Sequence, residues 1–381
     1  MKKIPNGRQI IDKKDIVAVS QSLKRSLITT GELVKNFELK IKDLLKSKFT
    51  KVCSSGTAGL HLALLAINLK KNDVIIMPAI NFIAVYNLSK VMGAKVILAD
   101  VDKSTGQMTP QTLEDCIKRN NLKEIKAIIT MYLGGHPENV VDFYKIKKKY
   151  KCYLIEDACH ALGSQYIFKN KYYNIGSCKH SDISVFSLHP LKTITTGEGG
   201  IICTNNKNLD NKIEILRSHG IKKTKKHWIY TVEDHGFNYR LSDINCALGI
   251  SQIKKISFFI KKRNKIAKLY LKNLKNNFLI PRYSPSNKSS YHLFIINLKE
   301  KNINLKNKII DDMAKSNINL HYHYIPIFKM KKIFDDKKFN EKHYSGTLHY
   351  FSTTISLPIY VNMSLNDQNL IVKKLNNFYA T

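Results

Sequence analysis

The segment Ile183-Ser-Val-Phe-Ser-Leu-His-Pro-Leu-Lys192-Thr-Ile-Thr-Thr-Gly-Glu-Gly-Gly200 sets one lysine between a β-branched run and a glycine cluster. Lysine is abundant in this chain, where Lys and Arg total 63 and only seven are Arg. Lys192 stands apart because it follows a buried-looking strand and meets no other charge until Glu198. A lysine that is partly desolvated loses its proton easily. The neutral amine can form a Schiff base with a carbonyl substrate or with pyridoxal phosphate (PLP). The glycines that follow let the backbone pass close to a bulky ligand. Without supporting residues, the same lysine would be an ordinary solvated loop residue.

Support comes from other segments. Ser54-Ser-Gly56-Thr57 opens an apolar helical run. Its free N–H groups, hydroxyls and helix dipole form a seat for an anion such as phosphate. The GxxxxGK[ST] pattern of a nucleotide P-loop is absent. Read alone, the turn is equally a capped helix. Asp157 ends a strand at Tyr153-Leu-Ile-Glu156, the edge at which α/β sheets bind ligands. A carboxylate there could pair with a pyridinium N–H and keep the ring an electron sink, or simply cap the next segment. His160 could hydrogen-bond a phenolate oxygen, Phe82 could stack on a flat ring, and Ser187 could add a phosphate donor. Asn238 lies with Tyr239 and Arg240 in a polar loop before a helix. Each signal is weak singly. Their order is the argument: anion seat, aromatic, strand-end Asp, then Lys192, 35 residues after Asp157 and five after Ser187.

The elements that must position these residues alternate. Helical spacing marks Asp12–Leu23, Val34–Leu45, Ala58–Leu69, Asn81–Met92, Thr109–Arg119 and Val141–Tyr150. Strand patterns mark Val74–Met77, Lys95–Asp100, Ile125–Met131, Cys152–Glu156, Asp182–Leu188 and Gly200–Thr204. This alternation predicts a mainly parallel α/β sheet. The two runs flanking Lys192 lack an intervening helix, so one of them could be antiparallel. Asp243–Ile253 reads as a helix with Ser242 or Asp243 as N-cap. A long helix, Ser257–Asn276, leads to a second domain with a strand at Tyr291–Leu298, a helix at Lys306–Lys315, an extended His321–Ile327 and a closing helix at Leu365–Phe378.

At 381 residues the chain can hold two domains: a large one over 12–255 and a smaller C-terminal one over 256–381, with residues 1–11 packing nearby. No run reaches the length of a membrane span, and no apolar signal segment follows Met1-Lys-Lys-Ile-Pro. The seven scattered cysteines show no metal-ligand spacing and read as reduced thiols, so a cytoplasmic protein without a metal is expected. The net charge of +34 raises a different function class, a non-catalytic polyanion-binding protein. Modules that read bases rely on arginine, in which this chain is poor. Neither nucleic acid nor membrane is the expected partner, and the positive field would instead favour a small anionic substrate.

Several segments together resemble the DegT/DnrJ/EryC1/StrS sugar aminotransferases: Cys53-Ser-Ser-Gly-Thr-Ala-Gly-Leu-His-Leu-Ala, Ile155-Glu-Asp-Ala-Cys-His-Ala-Leu-Gly, the Lys192 segment, Arg217-Ser-His-Gly, Asn238-Tyr-Arg-Leu-Ser-Asp and His323-Tyr-Ile-Pro-Ile. The resemblance runs from Ile4 to the last helix. It implies the fold of PLP-dependent transferases of fold type I (aspartate-aminotransferase-like): a large, mixed, mostly parallel sheet domain plus a smaller C-terminal α/β domain. It also implies a homodimer with shared active sites. By motif, Lys192 would carry PLP covalently and Asp157 would pair with the pyridine nitrogen. His160 would sit beside the ring oxygen and Phe82 would stack on the ring. Gly56, Thr57 and Ser187 would hold the phosphate, and Asn238 would reach the neighbouring subunit's cofactor. Asn6, Arg217, His219, His323 and Tyr324 are substrate candidates. The implied reaction moves an amino group, from L-glutamate, to C4 of a nucleotide-linked 4-keto-6-deoxy sugar. The wording around Lys192 is most similar to members acting on UDP-2-acetamido-2,6-dideoxy-β-L-arabino-hexos-4-ulose on the pseudaminic acid route, and other UDP-, dTDP- or GDP-linked sugars are the alternatives. Asn6, Phe328 and Gly59 depart from the family's usual Tyr, His and Ala. The first two positions are expected near the sugar-nucleotide pocket.

Overall fold

The computed structural model describes residues 3–224, 226, 228–274, 278–330 and 340–378. The chain opens with helices α1 (Lys13–Ser22) and α2 (Glu32–Leu45), then β1 (Phe49–Cys53) and α3 (Gly56–Ala66). β2 (Val74–Pro78), α4 (Ala84–Val91), β3 (Lys95–Ala99), α5 (Pro110–Arg119), β4 (Ala127–Met131), α6 (Val140–Lys149) and β5 (Tyr153–Asp157) then alternate. After a hairpin of β6 (Gln165–Phe168) and β7 (Lys171–Asn174) come β8 (Ile183–Ser187) and β9 (Gly200–Thr204), with the Lys192 turn between them. Next are α7 (Lys207–Leu216), a second hairpin of β10 (Ile221–Lys223) and β11 (Tyr230–Val232), α8 (Asp243–Ile253) and α9 (Ile256–Asn273). The chain closes with β12 (Phe278–Leu279), β13 (Phe294–Leu298), α10 (Ile303–Lys315), α11 (Ser345–Thr353), β14 (Thr354–Leu357) and α12 (Leu365–Asn377).

Seven strands form the main sheet in the order β1-β9-β8-β5-β4-β2-β3. β9 runs antiparallel to both neighbours, and the other pairings are parallel. The connection between β8 and β9 carries no helix to cross over the sheet, and the two strands pair antiparallel. The central strands are apolar without a break because both faces are covered. Ile183 and Val185 of β8 pack with α3, whereas Phe186 joins the opposite cluster with Phe37 and Ile41 of α2. This is the two-residue period of a strand sorting side chains between two layers.

A separate antiparallel sheet, β12-β13-β14, carries its own apolar cluster, in which Ile296 and Ile355 pack with Ile309, Met313 and Ile371. Ile4 belongs to that cluster and bridges to Ile318. We propose that the elements from α9 onward, together with the segment around Ile4, form the smaller unit.

Three departures from the sequence expectations bear on the site. The helix expected from Asn81 begins only at Ala84, which leaves Phe82 in the loop and 53% exposed. The strand expected from Tyr291 begins at Phe294, because Tyr291 takes a left-handed backbone (φ 47°) that a strand cannot hold. His292 is thereby left in an irregular lead-in. β1, α7, α11, β14 and both hairpins carry no clear periodic signal and were not anticipated. The α9 expectation ran to residue 276, and positions 275–276 lie outside the described residues. Ser242, the expected cap of α8, accepts from the Asn245 N–H at 3.2 Å.

Candidate active site

The C-terminal ends of β4, β5 and β8 converge with the start of α3 on a cavity of about 450 Å³. Gly56, Thr57, Phe82, Asp157, His160, Ser187, Lys192, His323 and Tyr324 all line it. These nine expected site residues span 268 positions of sequence, and the fold brings them to one place.

The floor follows from local chemistry. Ser55 caps α3, its hydroxyl accepting from the Ala58 N–H at 3.0 Å. The Gly56 and Thr57 N–H groups lie in the first turn, where a helix has no internal acceptors, so they face the cavity as donors. Gly56 is there for space: a Cβ would meet the Ser187 Cβ at 2.9 Å. Gly59 has the same reason one turn later, since a Cβ would meet Val185 Cγ1 at 2.8 Å. The departure from alanine thus lets α3 press onto β8.

The Lys192 turn is fixed by its hydroxyl residues. Thr195 Oγ1 donates to the Leu188 carbonyl at 2.9 Å and accepts from the Gly197 N–H at 2.9 Å. Thr196 Oγ1 donates to the Glu198 carbonyl at 2.7 Å, and Asn245 Nδ2 donates to the Thr196 carbonyl at 2.6 Å. Lys192 itself is half-buried, and burial pushes its amine pKa down from the usual lysine range. Asp157 and Cys159 oppose that shift, and Arg263 adds to it. Asp157 is buried, and burial pushes its carboxyl up against the opposing Cys159 N–H, which donates at 3.3 Å, and the Lys192 charge. A pyridinium between the two would supply the countercharge Asp157 lacks.

His160 is buried, and burial, then Lys192 and His323, push its pKa well below the imidazole range. The neutral ring has a definable tautomer. Gly134 N–H donates to Nδ1 at 3.4 Å, so Nε2 carries the hydrogen and donates to the Tyr324 hydroxyl at 3.0 Å. The Tyr324 O–H is then free to donate elsewhere. His323 is fixed by Ser356, whose hydroxyl lies 2.9 Å from Nδ1.

Four expected residues fall outside the cavity lining. Asn6 is one layer removed, its Nδ2 donating to the carbonyl of Ser356, the residue that holds His323. Arg217 is buried elsewhere: it donates to Glu38 at 2.5 Å, to both oxygens of Glu214 at 3.0 and 2.8 Å, and to the Val52 carbonyl at 2.7 Å. This places it as a tie between β1, α2 and α7 and corrects its assignment to substrate. His219 is exposed, with its N–H donating to the Phe237 carbonyl. Asn238 is exposed in the bridge to Ser218. Phe328 is buried against Tyr344 in the core, which corrects its expected place near the pocket.

The residue that sequence reasoning missed is His292. It lines the cavity, its ring lies 4.2 Å from that of His160, and its buried Nδ1 has no hydrogen-bond partner among the described residues. No motif marks it; only the fold brings it there. A larger groove of about 910 Å³ beside α9 is lined by none of the expected site residues, and the chemistry lies in the smaller cavity. Among the described residues no cluster of ligands could hold a metal, and no helix is long and apolar enough to cross a membrane. All seven cysteines are free.

A seven-stranded, mostly parallel sheet with a lysine turn and a strand-end carboxylate at one crevice defines a PLP-dependent transferase. The sequence profile of the DegT/DnrJ/EryC1/StrS aminotransferase family matches residues 9–376, and the chain belongs to that family. It is a sugar aminotransferase with pyridoxal phosphate as cofactor. The chain is 35% identical over 370 residues to the UDP-4-amino-4,6-dideoxy-N-acetyl-β-L-altrosamine transaminase of Campylobacter jejuni, covering 97% of this chain and 95% of the relative. It is 29% identical to GDP-perosamine synthase of Escherichia coli O157:H7, covering all of both chains. The solved structure of Helicobacter pylori PseC, an aminotransferase in the biosynthesis of pseudaminic acid, superimposes with a TM-score of 0.89 over the whole of both chains, at 29% identity. The donor set fits the cofactor: an amine, a buried carboxylate, and helix N–H groups beside two hydroxyls.

Proposed function

We propose that this enzyme moves an amino group from L-glutamate to C4 of UDP-2-acetamido-2,6-dideoxy-β-L-arabino-hexos-4-ulose, a step of pseudaminic acid-type sugar synthesis. The observation that carries the chemistry is the meeting of Lys192, Asp157 and the α3 N-terminus in one cavity. The names of the relatives support the substrate. PLP, when bound, supplies an electrophilic carbon and an electron sink.

The chain's own residues do the rest. Lys192 Nζ is the amine that would hold the cofactor, and once free it would take the proton from the donor's α-carbon and deliver one to C4 of the sugar. Burial lowers the pKa of that amine from the usual lysine range, which eases the loss of its proton. Asp157 would hold the ring nitrogen protonated, and His160, whose Nε2–H is taken by the Tyr324 hydroxyl, would lie beside the ring oxygen. Gly56, Thr57 and Ser187 take the phosphate, and Phe82 covers the ring. His323 and Tyr324 form the wall on which the sugar rests. The net charge of +34 favours entry of a nucleotide diphosphate.

The working unit in this reading is a homodimer in the cytoplasm. Asn238 is far enough from its own cavity not to line it, and the β10–β11 hairpin beside it exposes Tyr230 and Val232. A two-fold partner would cover that hairpin and receive Asn238 at its phosphate.

The test is spectroscopic. The PLP-loaded protein should show a visible band that disappears with L-glutamate. UDP-, dTDP- and GDP-linked 4-keto-6-deoxy sugars are then offered, and return of the band is timed. The fastest return is expected with the UDP sugar. A preference for a dTDP or GDP sugar overturns the acceptor, and a protein that stays colourless with PLP overturns the whole reading.

A further inference from the structure

Two buried arginines differ in what neutralises them. Arg217 has two carboxylates. Arg263, on α9, is 2% exposed and has no carboxylate partner among the described residues. Its Nη1 donates to three carbonyls: Tyr291 at 3.3 Å, His292 at 3.3 Å and Ile359 at 3.0 Å. Its Nε is buried with no hydrogen-bond partner among the described residues. Burial pushes the guanidinium down to about 10, still fully charged at neutral pH. An uncompensated buried charge is costly, so its location matters. One of its acceptors is the backbone of His292, and the His292 ring shares the cavity with Lys192.

We propose that Arg263 is a positioning residue for the transamination site: its permanent charge behind the His292 wall disfavours a second positive charge on Lys192 Nζ, and its hydrogen bonds hold His292 in the cavity. The proposal rests on the PLP reading above. Asp157 and Cys159, next to Lys192 on the β5 side, favour a charged amine. Arg263 opposes them from α9 and depresses Lys192 and His292 alike. His160 and His323, both held neutral, Tyr324, whose hydroxyl burial pushes up, and His189 and Glu198 complete the titratable groups lining the cavity. Such a balance suits an amine that must give and take a proton in each half-reaction.

The test separates charge from hydrogen bonding. Arg263→Gln keeps a donor for the carbonyls and loses the charge, Arg263→Lys keeps the charge, and Arg263→Met loses both. The visible band of the PLP-loaded protein is titrated with pH, and circular dichroism checks the fold. Removing a nearby positive charge raises the pH at which the Lys192 nitrogen sheds its proton. The midpoint should therefore rise by roughly half a unit to one unit in Arg263→Gln and Arg263→Met, and stay near the wild-type value in Arg263→Lys. Should Arg263→Met not fold, Arg263→Gln is read alone. A folded Arg263→Gln with an unmoved midpoint overturns the proposal and leaves the aminotransferase reading intact. Failure of the wild-type protein to form any band overturns both.

Discussion

The cavity has a floor and a wall, and they differ in how the chain makes them. The floor comes from the main sheet: the α3 N-terminus, Asp157, Ser187 and the Lys192 turn, each at the end of a strand or the start of a helix. The wall comes from His292, His323 and Tyr324, carried by irregular segments near the smaller sheet. Floor residues are placed by the main sheet and by the hydrogen bonds of the Lys192 turn, to which Asn245 adds one long-range tie. Wall residues are placed by contacts far along the chain, such as Tyr324 to His160 and Asn6 to Ser356. The floor suits a cofactor whose shape never changes, whereas the wall can vary with the sugar without disturbing the chemistry.

The largest test of this division is Lys192→Arg, which removes the amine that must lose its proton. Turnover should fall by about a thousandfold or more, while the melting temperature stays close to wild type. Activity within about tenfold of wild type would take Lys192 out of the chemistry. Asp157→Asn should come next, with kcat reduced about a hundredfold, because an amide cannot stabilise a cationic ring nitrogen. On the wall, Tyr324→Phe should cost about tenfold, the worth of one hydrogen bond. The loss should appear in kcat/KM for the sugar and spare the glutamate half-reaction. Equal losses in both halves would erase the distinction between floor and wall. Smaller still is the shared-site effect. Inactive Lys192→Ala and Asn238→Asp subunits, mixed equally, should recover about a quarter of wild-type activity, since half the dimers hold one intact site. No recovery in mixtures shown to contain mixed dimers would reject sharing.

The same division explains what could be read from residues alone. The strands around the floor announce themselves as apolar runs closed by punctuation, so Asp157, Ser187 and Lys192 were placed by pattern. That one of the two strands flanking Lys192 could be antiparallel is legible from the missing helix, and the fold shows it to be β9. His292 is illegible because the pattern sets it inside the Tyr291–Leu298 strand, where nothing local marks it as a cavity residue. Arg217 misled because an arginine in a family-like segment says nothing of the two glutamates it meets from α2 and α7. β1 was missed because Lys51 interrupts its apolar pattern. In the fold Lys51 pairs with Glu214 at 2.8 Å, which lets an edge strand keep a charge.

Phe328 gives the finest cut between wall and core. It lies only four residues after Tyr324 and replaces a histidine common in the family, so proximity in sequence suggests a substrate contact. The fold turns it inward instead: its ring lies 4.9 Å from that of Tyr344, within the cluster that includes Leu98 and Ile327. Phe328→His would put a polar ring where few partners await it and should cost about 1–3 kcal/mol of stability. The KM for the sugar should stay within about twofold of wild type, because no cavity surface changes. Asn6→Tyr is the matched control, since Asn6 reaches the wall through Ser356 and should move sugar KM more than stability. If Phe328→His instead shifts sugar KM at unchanged melting temperature, the boundary between wall and core lies further along the chain than Tyr324, and the partner subunit must bring the substrate to it.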